Sequence, residues 1–258
     1  MRKGLVSLTC VCCLVMPVMG GAQTTMAPTS PLSPTQLTAP SADSFWAPFR
    51  AIPGDIKNLF SQDTARILGA AAATFMVAQN WDDDGVWMAE RRLKPVANFT
   101  PGNIGGGMMA QLGGAFAAYT IARATGSERA IAVGSDLFRA QVLTQAMVQT
   151  MKVSFHRERP DGSNHFSLPS GHTAGAVATA TVLTRHFGWK VGVPAYTASA
   201  YVAASRMSAN KHHITDVMVG AAVGIVAGRT ATLGVSKHHF AVGLVPTVGG
   251  AAVTITKK

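Results

Sequence analysis

Three short stretches decide how this chain reads: KVSFHRERP at residues 152–160, PSGH at 169–172 and SRMSANKHHITD at 205–216. Their spacing singles out three cations (Lys152, Arg159, Arg206), two histidines (His172, His212), a Ser170-Gly171 turn and the carboxylate of Asp216. Lys and Arg suit a phosphate, because they neutralise the charge on its oxygens. Two histidines suit a displacement in two steps, one ring as nucleophile and the other as acid, then base. Asp216 follows His212 by four residues. On a helix the two share a face, and the carboxylate can orient the ring.

In order and spacing, Lys152 to Arg159-Pro160, Pro169-Ser170-Gly171-His172 and Ser205-Arg206 to His212 and Asp216 resemble the type 2 phosphatidic acid phosphatase superfamily. That superfamily also holds the bacterial class A acid phosphatases and the vanadium haloperoxidases. A lone PSGH carries little weight; three complete blocks in the right order carry much. The resemblance implies an all-α bundle built around the site. It implies a phosphoric ester hydrolase in which His212 attacks phosphorus and forms a phosphohistidine, Asp216 holds the other ring nitrogen, and His172 protonates the leaving oxygen before activating water. Lys152, Arg159 and Arg206 would spread over the non-bridging oxygens. Ser170 would donate its hydroxyl, and Gly171 would let the backbone at a helix start approach the anion.

No metal and no other cofactor is expected, since the cations do the job a metal would otherwise do. The alternative reading is a vanadate-dependent haloperoxidase, in which the same anion site binds vanadate as cofactor on His212; in a phosphatase, vanadate should only inhibit. Chain length favours the phosphatase. His165 stands seven residues before His172, where bromide-using haloperoxidases of the superfamily carry a histidine, and is a candidate supporting residue. Only eight residues separate Pro160 from Pro169, which is short for the family and leaves no substrate-capping loop expected there.

Around these blocks the chain divides into four parts. Residues 1–22 read as a secretory signal: Arg2 and Lys3, then an apolar run from Leu5 to Met19, then the small Gly20-Gly21-Ala22. The three cysteines, Cys10, Cys12 and Cys13, all lie within that run, so a mature chain carries no thiol chemistry. Residues 23–44, with Pro28, Pro31, Pro34 and Pro40, read as a linker. Residues 45–235 are the expected helical phosphatase domain, and 236–258 a tail. In that tail Phe240, Val242 and Leu244 alternate, then Ala251, Val253 and Ile255, around Gly249-Gly250, which signals a short β-hairpin.

Within the domain, Asp63 is expected to cap a helix from Thr64 to Gln79, striped by Ile67, Ala71, Phe75 and Ala78. Trp81-Asp82-Asp83-Asp84-Gly85 reads as a solvated turn rather than a metal cluster, followed by a short helix over 86–93. The glycines of 98–107 lack a following Lys-Ser/Thr and read as close helix packing. Helices are expected over 104–122, 127–153, 172–187, 191–205 and 214–233. His213 is expected outside the site, because its fourth residue on is Val217, and His156, His186, His238 and His239 are expected at the surface.

The formal net charge is +10 at pH 7, of which Arg2 and Lys3 supply two. With aromatics at 7% and no Lys/Arg run longer than two residues, nucleic acid is excluded as a partner. The excess suits a field that draws in a phosphate-ester or lipid-phosphate substrate, or a membrane surface. A mean hydropathy of +0.23 and helices rich in Ala and Gly favour a soluble or peripherally membrane-associated protein of the bacterial periplasm over a multi-span one.

Overall fold

The computed structural model describes residues 44–93, 99–235, 240–247 and 250–257. The signal segment, all of the linker but Ser44, and His238 and His239 lie outside the described residues. The body is all-α, as expected: α1 (Ala47–Asn58), α2 (Gln62–Ala78), α3 (Asp82–Met88), α4 (Phe99–Gly106), α5 (Met108–Thr125), α6 (Glu128–Phe155), α7 (Gly171–Phe187), α8 (Trp189–Ser208) and α9 (Ile214–Ala231). Two strands, β1 (Phe240–Thr247) and β2 (Gly250–Lys257), pair antiparallel with Phe240 opposite Lys257 and Thr247 opposite Gly250.

Local chemistry sets the helix ends. Ser61, not Asp63, caps α2 by accepting from the Thr64 N–H, because a hydroxyl in extended backbone reaches the orphan donors of the first turn. Asp63 sits inside that turn and pairs with Arg66 and Arg229. Ser127 caps α6 in the same way. Gly126, at φ 70°, turns the chain in the left-handed region between α5 and α6. The single helix expected over 104–122 is broken at Gly107, whose extended backbone (ψ 148°) separates α4 from α5.

The core lies where α6, α7 and α9 meet. Val148, Ala174 and Val223 form one buried cluster, flanked by Met147 and Met151. Ala140, Val182 and Ala231 form another, against Leu137. These side chains are small because the backbones are close. Gly220, Gly224 and Gly228 recur every four residues and so line one face of α9. A Cβ on Gly220 would stand 2.6 Å from the Ser170 carbonyl oxygen, and one on Gly224 would stand 2.4 Å from that of Ala174. Nothing larger than hydrogen fits between α9 and α7.

A second buried contact ties α1 to α6. Arg139 donates Nε and a terminal nitrogen to the two oxygens of Asp55 at 2.7 and 2.6 Å, and its other terminal nitrogen to Asp136 at 2.9 Å. His186 completes the cluster, its Nε2 2.9 Å from Asp136. The surface position expected for His186 is therefore corrected: the ring is drawn inward by a buried carboxylate.

Among the described residues one helix, α9, is long and apolar enough to cross a membrane, and 72% of that window is buried within the bundle.

Gly224→Ala tests the close approach. The added methyl meets backbone, which cannot swing aside, so the variant should lose about 1–3 kcal/mol of stability. That loss outweighs the roughly 1 kcal/mol gained from helix propensity. Thermal melting should show a lower midpoint; an unchanged or raised one would mean that the helices have slack.

Candidate active site

Four helix ends and one loop build the site. α6 delivers Lys152 in its last turn and stops at His156, whose φ of 44° breaks the helix. The loop after it is tied to itself: Arg159 N–H donates to the Asn164 carbonyl at 3.0 Å, and Ser167 N–H donates to the Arg157 carbonyl at 2.9 Å. Asp161 N–H donates to the Asn210 carbonyl at 3.1 Å, and the Asp161 carboxylate pairs with Lys211, which anchors the loop to the α8–α9 connection. α7 begins at Gly171, α8 carries Arg206 in its last turn, and α9 opens just after His212 and His213. Ser170 N–H donates to the Asp216 carbonyl at 2.9 Å, which joins the start of α7 to the first turn of α9.

His212 is 1% exposed. Its Nδ1 lies 3.7 Å from Asp216 Oδ2 and has no hydrogen-bond partner among the described residues. That is beyond direct bonding but within a small side-chain shift, as resting catalytic pairs often are. Asp216 itself is fully engaged. Arg157 donates to Oδ1 at 2.7 Å, while Oδ2 accepts from the Ser167 hydroxyl and, at 2.8 Å, from the His213 N–H. His213 Nδ1 is also 3.2 Å from Oδ2, nearer than His212. The expectation that His213 lies outside the site is therefore corrected. It fails because Asp216 is the third helical residue of α9 and turns back toward the residue that precedes the helix. Burial pushes the Asp216 carboxyl up; His212, His213, Ser167 and Arg157 outweigh it and hold the group well below the usual carboxylate range.

The three expected cations converge. Burial, the Arg159 charge and that of Arg206 push the Lys152 ammonium down to about 8, against the pull of Asp216. Burial and Arg159 push Arg206 down to about 10. Lys152 Nζ donates to the Phe166 carbonyl, and Arg206 donates to Asn103 Oδ1 at 2.8 Å. Arg159 Nε is buried with no acceptor among the described residues. Like charges pressed together with a donor left over are poorly stable until an anion arrives. Ser170 is wholly buried; its oxygen accepts from the Thr173 hydroxyl at 3.0 Å, so its own hydrogen remains to donate. A Cβ on Gly171 would come within 3.3 Å of Val148. His172, one residue into α7, is pushed down to about 4 by burial and by the charges of Arg206 and His212; His212 is pushed to about 4 by burial, with Lys152 and Arg206 adding to it. Two neutral rings thus face a cationic cluster.

Several participants escaped the sequence reading. Arg157, two residues before Arg159, bridges Asp216 to Asp82 at 2.6 Å and to the Thr215 hydroxyl at 2.7 Å. Asp82 is buried and also accepts from the Thr215 N–H and hydroxyl at 3.0 and 2.7 Å. The solvated turn expected there is corrected: Asp82, Asp83 and Asp84 form the first turn of α3, with Asp83 and Asp84 exposed and Asp82 buried. The only signal was position: one carboxylate of three falls on the inner face of α3. His165 is exposed on the loop, next to Phe166, whose carbonyl accepts from Lys152.

Residues 135–240 match the sequence model of the PAP2 superfamily. Over 89 residues the chain is 44% identical to a Porphyromonas gingivalis protein named lipid A 1-phosphatase, covering 33% of this chain and 20% of that protein. Over 99 residues it is 26% identical to the lipid A 4'-phosphatase of Helicobacter pylori, covering 34% of this chain and 50% of that one. The chain thus spans half or less of the length of these curated relatives. Among solved structures it is similar to Aquifex aeolicus LpxE, with 25% identity, a TM-score of 0.44, and 52% and 83% of the two chains covered. It is also similar to the first transmembrane PAP2 type phosphatidylglycerolphosphate phosphatase from Bacillus subtilis, with 18% identity, a TM-score of 0.33, and 72% and 92% covered. The three blocks that form the site all fall inside the stretch that matches the PAP2 superfamily model.

Proposed function

We propose that the chain is an exported phosphatase that hydrolyses lipid-borne phosphate monoesters at a membrane surface, through a phosphohistidine on His212 and without a metal. One observation carries the phosphatase reading: Lys152, Arg159 and Arg206 are held against one another beside two neutral histidines, an arrangement that only an anion relieves. The lipid class draws support from the relatives, both named as lipid A phosphatases. It also draws support from the surface at this end of the bundle. Val153 and Phe155 on α6 and Phe166 on the loop are exposed near Lys152, Trp81 is exposed next to Asp82, and Arg91 lies over the exposed Trp87 ring. Exposed apolar and Trp side chains next to cations suit a lipid–water boundary.

In the reaction, the His212 ring nitrogen away from Asp216 attacks phosphorus, and the P–O bond to the leaving group breaks. Asp216 closes on Nδ1 as positive charge builds on the ring. His172 gives its proton to the leaving oxygen, then takes one from the water that cleaves the P–N bond. The bound anion draws a proton onto His172, because it offsets the cationic charges that, after burial, hold the ring near 4. Lys152, Arg159, Arg206 and the first N–H groups of α7 stabilise the trigonal transition state; each such donor is worth roughly 3–4 kcal/mol when removed. The exposed position of His165 lends the haloperoxidase alternative no support.

Purified protein should release phosphate from a lipid monophosphate with chelator present. His212→Ala should abolish turnover for every substrate, whereas His172→Ala should cost an alkyl or lipid phosphate more than an activated aryl phosphate, which leaves without a proton. Activity that vanishes in chelator and returns with one metal would contradict the mechanism, and bromide oxidation by vanadate-loaded protein would move the chain to the haloperoxidase branch.

The pH profile follows from Lys152. Its charge is present below about 8 and lost above it, so kcat/KM should fall on the alkaline side with a midpoint near that value. Lys152→Arg keeps the cation and should carry that limb upward; a limb that does not move would assign it to another group.

A further inference from the structure

α4 precedes the matched stretch, yet it reaches the centre of the site. It does so by presenting almost no side chain to its neighbours. A Cβ on Gly102 would stand 1.9 Å from Ser205 Oγ; one on Gly106 would stand 2.6 Å from Val202 Cγ1 and 3.1 Å from His172 Cβ. Asn103, between those glycines, is thereby pressed against two functional residues at once. Its side-chain Oδ1 accepts from Arg206 at 2.8 Å. A Cβ on Gly107 would stand 3.1 Å from the Asn103 backbone carbonyl oxygen and 3.9 Å from His172 Nε2, and that carbonyl favours a proton on the ring.

Resting on the phosphatase reading, we propose that Asn103 is a positioning residue with two separate arms: its side chain aims the Arg206 guanidinium at the phosphate, and its carbonyl sets which ring nitrogen of His172 faces the leaving group. A carbonyl can only accept. The ring nitrogen turned to it therefore keeps its hydrogen, and the other nitrogen is left to give a proton to the leaving oxygen and take one from water. Asn103 does for the acid what Asp216 does for the nucleophile, with one difference. A neutral acceptor orients the ring without the charge that would hold it permanently protonated, which suits a group that must change protonation state twice per cycle.

The two arms separate experimentally. Wild-type turnover of an alkyl and an aryl phosphate comes first, and its absence would count against the phosphatase reading rather than against Asn103. Asn103→Ala removes the side-chain arm alone. It should lower kcat/KM for both substrates by the same factor, about ten- to a hundredfold, the size expected when a hydrogen bond to a charged group is lost. Gly106→Ala forces α4 off His172 and disturbs the carbonyl arm, so it should cost the alkyl phosphate about tenfold more than the aryl one, the signature of an impaired acid. General loosening of the fold would not split the two substrates. If Gly106→Ala does not fold, ¹⁵N shifts of the His172 ring in the wild-type protein carry that arm: a single tautomer is expected. Asn103→Ala within twofold of wild type would overturn the side-chain arm. Equal losses on both substrates in Gly106→Ala, or a tautomer mixture at His172, would overturn the carbonyl arm.

Discussion

Everything at the site depends on how closely α9 can approach α7. Gly220, Gly224 and Gly228 remove the side chains that would keep two helices apart, so backbone meets backbone. The Ser170 N–H can then bond the Asp216 carbonyl, which joins the start of α7, beside His172, to the start of α9, beside His212. The relative position of His172 and His212 is thus decided by main chain rather than by flexible side chains. Catalytic groups need placing to within a fraction of an ångström, and a contact of this kind has few ways to relax.

Packing brings the groups together at an electrostatic cost. Three cations and two histidines occupy a partly buried space, and the carboxylate beside His212, Asp216, is already engaged by Arg157, Ser167 and His213. Arg157 is balanced on its other side by Asp82, so its charge stays with those two carboxylates. Lys152, Arg159 and Arg206 keep an excess that a phosphate neutralises. The division is economical in residues: one arginine of the first block pairs with the carboxylates, and its neighbour two positions on keeps a buried donor without an acceptor among the described residues.

The sequence was most legible where chemistry and spacing coincide. Lys152, Arg159, Ser170, Gly171, His172, Arg206, His212 and Asp216 were all picked out by three motifs; the shared helix face expected for His212 and Asp216 is corrected, because α9 begins at Ile214 and His212 precedes it. The all-α body followed from the same resemblance. What remained hidden was tertiary. Nothing local tells Asp82 from Asp83 and Asp84; only the docking of α3 against Thr215 and Arg157 buries one of the three. His213 was misjudged because the four-residue rule ignores the capping position, where a carboxylate turns back toward the residue before the helix. His186 looked like a surface group until Asp136 came inward from α6. The glycines of α4 were read correctly as packing residues, but periodicity could not say that they pack Asn103 onto the site.

The most direct measurement is to find where phosphate resides during turnover. Protein mixed with labelled substrate and quenched within the cycle can be digested and the label located, with the His172→Ala variant included because slower water activation should let the intermediate accumulate. An acid-labile, base-stable phosphoryl group is expected on His212, more abundant in His172→Ala than in wild type. Label on His172, or rapid turnover in His212→Ala, would contradict it.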